Sequence, residues 1–347
     1  MVAIFDGHND ALTREDHALL ASGRDGGHLD LPRMRTGGIR GGIFAVFTPS
    51  AGDSWTPVER DDGVAEFAYA EPLARPDAAA QATAAAGRLL ALERAGEVRV
   101  ARNIDDFDVA FADDSGGEAA PPAAVLHLEG AEAIDPSLEA LDAWYAAGLR
   151  SLGPVWSRAN AFGHGVPFVF PSSPDTGPGL TGAGKRLVAR CGELGILVDL
   201  SHLNEAGFWD VAALDVGPLV ATHSAVHALC PASRNLTHRQ LDAIGDTGGL
   251  VGIIFGCPFL RTDFADDART PIALIAQHAR YVADRIGVEH VALGSDFDGT
   301  TIPAELGDAA GMPLVLEALH AVGFDEHELR AIASGNWRRV LADWWTG

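Results

Sequence analysis

Lysine is nearly absent from this chain, with one residue, Lys185, in 347. Basic residues are scarce as a whole: 25 Lys+Arg face 48 Asp+Glu, for a formal net charge of −23. A surface of that sign repels nucleic acid and anionic lipid, which excludes both as partners. Cysteine is scarce too. Cys191, Cys230 and Cys257 are odd in number and scattered, and no C-x-x-C occurs. Neither a disulfide framework nor a thiolate zinc site is expected from them. No apolar run approaches the ~18–20 residues of a membrane span. The N-terminus shows no basic, then apolar, then small-residue leader, so the mature protein is expected to start near Met1 and to work in the cytoplasm.

What is present is apolar sequence in short runs. Apolar residues make up 47% of the chain, ample for a large core. The runs cover residues 2–6, 42–47, 123–128, 148–152, 195–200, 219–222, 249–255 and 291–293, and helical stretches separate them. Such alternation predicts an α/β fold with a mainly parallel sheet. Eight runs predict a (β/α)8 TIM-like barrel, as a single domain over residues 1–347. Helices are expected at about 76–95, 137–147, 182–194, 204–214, 312–322, 325–333 and 336–345. Thr237 with Gln240 reads as a capping box for a helix to about Ile244. Thr270-Pro271 reads as the start of another, with Pro at its first position, to about Ile286. Residues 98–101 suit a small extra strand, and residues 112–122, acidic and rich in Gly and Pro, a surface loop. The Gly/Pro/aromatic stretch 157–181 is too long for a plain connector and is expected to be an active-site lid or pocket wall.

The polar residues choose one end of these runs. His8 and Asp10 stand two apart where the first run ends, and alternate residues of an extended strand point the same way. Glu129, His202, His223 and Asp296 stand at or just past the ends of runs three, five, six and eight. Barrel enzymes place their chemistry on that face. Singly, each has an ordinary reading, as a hydrogen-bonded core histidine, a surface carboxylate or a helix N-cap. Jointly they predict a metal site, with Zn2+ favoured by imidazole and carboxylate ligands over Mn2+, Fe2+ or Co2+. Six groups exceed what one tetrahedral zinc takes and suit two ions sharing a bridging carboxylate. A carboxylated lysine cannot be the bridge, because Lys185 lies in a Gly-rich helix start well before the fifth run. Glu129 is the best-placed bridge.

These residues also carry a resemblance. Asp6-Gly7-His8-Asn9-Asp10, Leu128-Glu129-Gly130, Val198-Asp199-Leu200-Ser201-His202, Thr222-His223-Ser224, Arg234-Asn235-Leu236-Thr237 and Gly294-Ser295-Asp296-Phe297-Asp298-Gly299 resemble, in order, the motif series of the renal (membrane) dipeptidase family, peptidase family M19. The match runs on to Asn336-Trp337-Arg338. The resemblance implies a (β/α)8 barrel and a binuclear zinc dipeptidase, its two Zn2+ bridged by Glu129 and a water or hydroxide. It implies His8, Asp10 and Glu129 as ligands of one zinc, and Glu129, His202 and His223 as ligands of the other. It implies that Asp296 carries the proton, that Arg234 holds the substrate's C-terminal carboxylate, and that Asp199 supports a ligand imidazole. Dipeptides are the implied substrates, with a D-residue tolerated at the C-terminal position; a homodimer is compatible with it.

One motif departs. Trp156 stands where the family often has a His that steadies the scissile carbonyl. An indole N–H donates one hydrogen bond and carries no proton charge, so Trp156 is read as a substrate-binding residue, and His164 is the candidate to replace the missing imidazole. The departure keeps open a related metal-dependent amidohydrolase acting on N-acyl-amino acids, β-lactams or lactones, whereas the full ligand set argues against a non-enzymatic metal or peptide binder. The other histidines, His28 and His278 among them, read as structural or surface residues. His127, two before Glu129 and pointing the same way, is the exception to watch.

Overall fold

The structure, a computed structural model, describes residues 2–50, 57–59, 63–67, 71–112 and 120–345. Eight parallel strands form its centre: β1 (Ile4–Asn9), β2 (Ile39–Phe47), β3 (Ala123–Glu129), β4 (Leu149–Gly153), β5 (Leu197–Val198), β6 (Val220–Ser224), β7 (Leu250–Ile253) and β8 (Val291–Leu293). The order β1-β2-β3-β4-β5 forms one paired sheet and β6-β7-β8 another. The bridge Asp199↔Val220 joins β5 to β6, and Asn9↔Phe297 joins β1 to the segment after β8. The sheet therefore closes on itself as a (β/α)8 barrel. Strands covered on both faces read as unbroken apolar runs; every residue of β3 is buried, which is why that run was legible.

The outer layer holds helices at Leu31–Gly37, Arg75–Arg94, Ile104–Phe111, Glu139–Ala147, Gly182–Leu194, Glu205–Leu214, His238–Asp246, Ala273–Ile286 and Met312–Ala321. Caps explain where several start. Thr181 and Asn204 accept from the N–H three residues on, and Thr237 with Gln240 forms the full capping box. Trp337 is fully buried, packs on Phe5 of β1 at 5.6 Å and donates to the Leu293 carbonyl, which ties the last helix, Asn336–Trp344, to β1 and β8.

Several boundaries differ from expectation. β1 runs to Asn9, so His8 lies inside the strand rather than past its end. The helix after Thr270 begins at Ala273, because Leu274 and Ile275 bond back only three residues, to Pro271 and Ile272, in a tight first turn. The extra strand exists as Arg99–Val100, parallel to the start of β3. The long loop carries a strand of its own, Val169–Phe170, in an antiparallel sheet with Ala65–Phe67 and Pro57–Glu59. Two residues are too short a run to show any alternation. Most of the expected surface loop at 112–122 lies outside the described residues. Among the described residues no helix is long and apolar enough to cross a membrane.

His278 shows what burial does to an imidazole that serves structure alone. Its Nδ1 accepts from the Val226 N–H at 3.0 Å and its Nε2 donates to the Leu260 carbonyl at 3.1 Å. Burial pushes its pKa down from 6.5 to about 4, against the opposing pull of the Leu260 bond. The unfolded chain thus takes this proton at a higher pH than the folded one. The stability that neutral His278 contributes is complete above pH 6.5 and drains away as the pH falls to about 4, by on the order of 3 kcal/mol. Urea midpoints measured at pH 7 and pH 4.5 should converge more in His278→Gln than in the wild type.

Candidate metal centre

The strand ends place the polar residues at one mouth. His8, inside β1, is completely buried, and its Nε2 lies 3.6 Å from Glu129 Oε1 and 3.8 Å from Asp10 Oδ2. Glu129 ends β3. Its Oε1 is 3.0 Å from His202 Nε2 and 3.6 Å from His223 Nε2. Two triads result, His8/Asp10/Glu129 and Glu129/His202/His223, all buried, each with ligand atoms within 4.8 Å of one another. Glu129 belongs to both. Asp296 joins the mouth in a third group with His8 and His223. Lys185 pairs with Asp210 at 2.7 Å, away from this mouth.

The imidazoles are aimed from behind. Ser157 Oγ bonds His202 Nδ1 at 2.8 Å, and Thr222 Oγ1 bonds His223 Nδ1 at 2.8 Å. The Thr222 hydroxyl donates to Asp199 Oδ2 at 2.7 Å, so it accepts from His223 Nδ1–H and leaves His223 Nε2 unprotonated. His202 Nε2 and His223 Nε2 then face each other at 2.9 Å. Both Nε2 atoms also face Glu129 Oε1, so two imidazole nitrogens and a carboxylate oxygen converge on one point, as the ligands of one cation would. His8 Nδ1, His8 Nε2 and Asp10 Oδ1 are buried without a hydrogen-bond partner, which is rare unless the atoms serve a ligand. The electrostatics agree. Burial opposes charge on His8, yet Glu129 and Asp10 hold its pKa up at about 10. A field that stabilises an imidazolium so strongly stabilises a metal cation. The donor set of imidazole and carboxylate fits such an ion.

Asp296 follows β8 in the left-handed conformation, φ 60°, as do His202 at 69° and Asp298 at 70°. Non-glycine residues hold such conformations only where neighbours over-determine them. Asp6 supplies part of that grip, accepting from the Ser295 N–H and hydroxyl at 2.8 and 2.9 Å. Asp298 supplies more, bonded to the His28 N–H and paired with buried Arg24 at 3.4 Å. Gly299 lets the chain pass close to the mouth, since a Cβ there would displace the carboxylates of Asp10 and Asp296. Burial raises the Asp296 carboxyl to about 7, with Glu129 adding to the rise and His8 and Arg234 opposing it.

A cavity of ≈ 680 Å3 opens over this mouth, lined by Asp10, Glu129, Trp156, His202, Arg234 and Asp296 among others. Arg234 is 4% exposed and has no carboxylate within 4 Å among the described residues. It donates to Ser224 Oγ at 2.7 Å and the His223 carbonyl at 2.8 Å, which fixes the plane of its guanidinium. His28, read from sequence as structural or surface, also lines the cavity, and its Nδ1 accepts from the Asp298 N–H. His164 bonds the Gly179 carbonyl and does not line the cavity, so it takes no place left by Trp156. His127 sits beneath the centre, with Nδ1 bonded to Ser151 Oγ at 2.8 Å and its ring edge-on to His8 at 5.5 Å. Ser157 and Thr222 were missed; a hydroxyl adjoining a ligand histidine or a strand end was the available signal.

A parallel barrel with buried imidazoles and carboxylates converging at the C-terminal ends of its strands defines a metal-dependent hydrolase. The model of the membrane dipeptidase family, peptidase family M19, matches residues 1–344, and the chain belongs to that family as a metallo-dipeptidase. A metallopeptidase from Rhodobacter sphaeroides, crystallised with a phosphinate mimic of the dipeptide L-Ala-D-Ala, is 44% identical over 99% of each chain, with a TM-score of 0.91. Dipeptidase AC, a family M19 metallopeptidase of known structure, is also 44% identical, over 100% of this chain and 99% of its own, with a TM-score of 0.90. Dipeptidase aclJ of Aspergillus oryzae is 33% identical over 220 residues, 63% of this chain and 51% of that protein.

Proposed function

We propose that residues 1–347 form one catalytic domain that hydrolyses the peptide bond of dipeptides at a binuclear zinc centre and accepts a D-residue at the C-terminal position. The observation that carries the reading is the pair of Nε2 atoms 2.9 Å apart over Glu129 Oε1, beside the buried Arg234 guanidinium, which has no carboxylate partner among the described residues. The phosphinate mimic of L-Ala-D-Ala held by the Rhodobacter relative supports the stereochemistry. The three cysteines, all buried and unpaired, support a reducing compartment, the cytoplasm.

In this reading His8, Asp10 and Glu129 hold one ion, and Glu129, His202 and His223 hold the other. Such a pair supplies a water of depressed pKa and polarises the scissile carbonyl. The rest falls to side chains. Asp199, through Thr222, fixes the His223 tautomer, and Ser157 holds the His202 ring in place. Asp296, raised by burial into the range where it can take and give a proton near neutrality, moves the proton from the water to the leaving amine. Arg234 clamps the C-terminal carboxylate. A carboxylate demanded one residue beyond the scissile bond limits substrates to dipeptides. Trp156 is an apolar wall over His202, with ring centroids 5.8 Å apart.

Metal analysis of the purified protein together with a screen of L,L and L,D dipeptides tests the reading. About two metal ions per chain and cleavage of both series are expected. Arg234→Ala should raise KM by at least about tenfold, the worth of one hydrogen-bonded charge, with metal content unchanged; an unchanged KM removes Arg234 from the role. Trp156 favours one rival, an amidohydrolase on N-acyl-amino acids, β-lactams or lactones. Substrates with and without a free α-amine separate the two.

A further inference from the structure

Behind the cavity wall lies a charged pair that the proposed mechanism does not use. Arg158 and Glu132 are each about 1% exposed in their side chains and meet at 3.3 Å. Arg158 also donates to the carbonyl of Thr48, and its Nη2 lies 3.3 Å from Thr48 Oγ1. Thr48 follows β2, Glu132 follows β3 and Arg158 follows β4. One guanidinium thus ties together three consecutive strand ends, at the side of the mouth that holds Glu129.

The same guanidinium carries two aromatic rings. Its carbon lies 5.3 Å from the Trp156 ring and 5.5 Å from the Phe47 ring, and those rings lie 5.0 Å apart. Both line the cavity. Trp156 continues the wall to Phe168, edge-on at 5.6 Å. A buried ion pair contributes little stability compared with apolar side chains of the same volume, so stability does not account for this one. A guanidinium held near the faces of two rings does restrict where those rings can sit.

We propose that Arg158 and Glu132 are positioning residues for substrate choice. They hold Trp156 and Phe47 as an apolar wall that receives the side chain of the dipeptide's first residue. The inference rests on the dipeptidase reading above, with the carboxylate on Arg234. Arg234 follows β6, whereas Phe47 and Trp156 close β2 and follow β4, flanking Glu129 of β3. A substrate anchored at Arg234 with its scissile carbonyl at Glu129 therefore has its first residue on the β2–β4 side. The preferred substrates are dipeptides with a bulky apolar first residue.

The test is a series X-D-Ala with X as Gly, Ala, Leu or Phe, assayed on the wild type and on Arg158→Met/Glu132→Gln, which removes both charges of the pair together. Metal content and melting temperature are followed alongside. The wild type should favour Leu and Phe over Gly by at least about tenfold in kcat/KM, the worth of a filled apolar pocket. The double variant should lose that preference through a raised KM for Leu and Phe, with Gly-D-Ala kept within about threefold. Placed in a Trp156→Ala background, the two changes should cost less than they do alone, since part of their effect runs through that ring. Should the double variant fail to fold, Arg158→Lys keeps the charge without the planar face, and the same loss of preference is expected. An unchanged preference, an equal loss across all four substrates, or full additivity with Trp156→Ala overturns the inference. A wild type that cleaves the series without preference overturns the inference alone, whereas one that cleaves no dipeptide overturns the dipeptidase reading with it.

Discussion

Asp296→Asn is expected to bind metal as the wild type does and to lose turnover by on the order of 10²–10⁴-fold, the worth of a positioned general acid–base. The substitution keeps the shape of the side chain and removes its charge and its capacity to take a proton. Its backbone N–H donates to the His8 carbonyl at 3.0 Å, and Ser295 before it is held by Asp6, so the left-handed turn at Asp296 should survive. Neither proposed triad of ligands includes Asp296. Metal analysis and kcat measured on one preparation decide the matter. Wild-type turnover excludes Asp296 as the proton carrier, and lost metal reassigns it as a ligand.

The barrel was legible because its strands are covered on both faces. β3 is buried throughout and, His127 apart, apolar until Glu129, so the change from apolar to polar marks the strand end and the functional mouth together. The same change marks Asp296 after β8. β5 was harder, since regular pairing covers only Leu197–Val198 and the contact with β6 is the single bridge at Asp199. The sequence could not show what aims the imidazoles. Ser157 bonds His202 across 45 residues, and a hydroxyl in a loop has no periodicity to betray it. His28 escaped for a similar reason: it lines the cavity only because Asp298, 270 residues later, holds its backbone. His164 takes no part at the mouth, because the loop pairs with the Ala65–Phe67 strand and that ring bonds the Gly179 carbonyl. Positions set by strand register can be read from spacing, and positions set by contacts between loops cannot.

Glu129→Gln should cost both ions of the proposed centre, whereas Asp10→Asn should cost about one. The asymmetry follows from connectivity. Asp10 enters a single triad, with His8 and Glu129, while Glu129 enters that triad and the one with His202 and His223. Its charge is also what holds the cluster together. His8 and His202 pull the Glu129 carboxyl well below the usual carboxylate range despite its burial, and Glu129 is the largest cause raising His8. A neutral amide of the same shape removes that attraction and leaves His202 and His223 facing each other with no anion between them and the mouth. Losses from removing only the groups that support a ligand run to 10–100-fold in metal affinity, and removal of a shared charged ligand should exceed about 100-fold at each site. Added metal should raise the melting temperature of the metal-stripped wild type, through mass action on the folded state, and leave that of Glu129→Gln unmoved. A Glu129→Gln protein that keeps two ions per chain would show that each ion is held without a shared carboxylate, and the two triads would then have to be redrawn around His8 and His223.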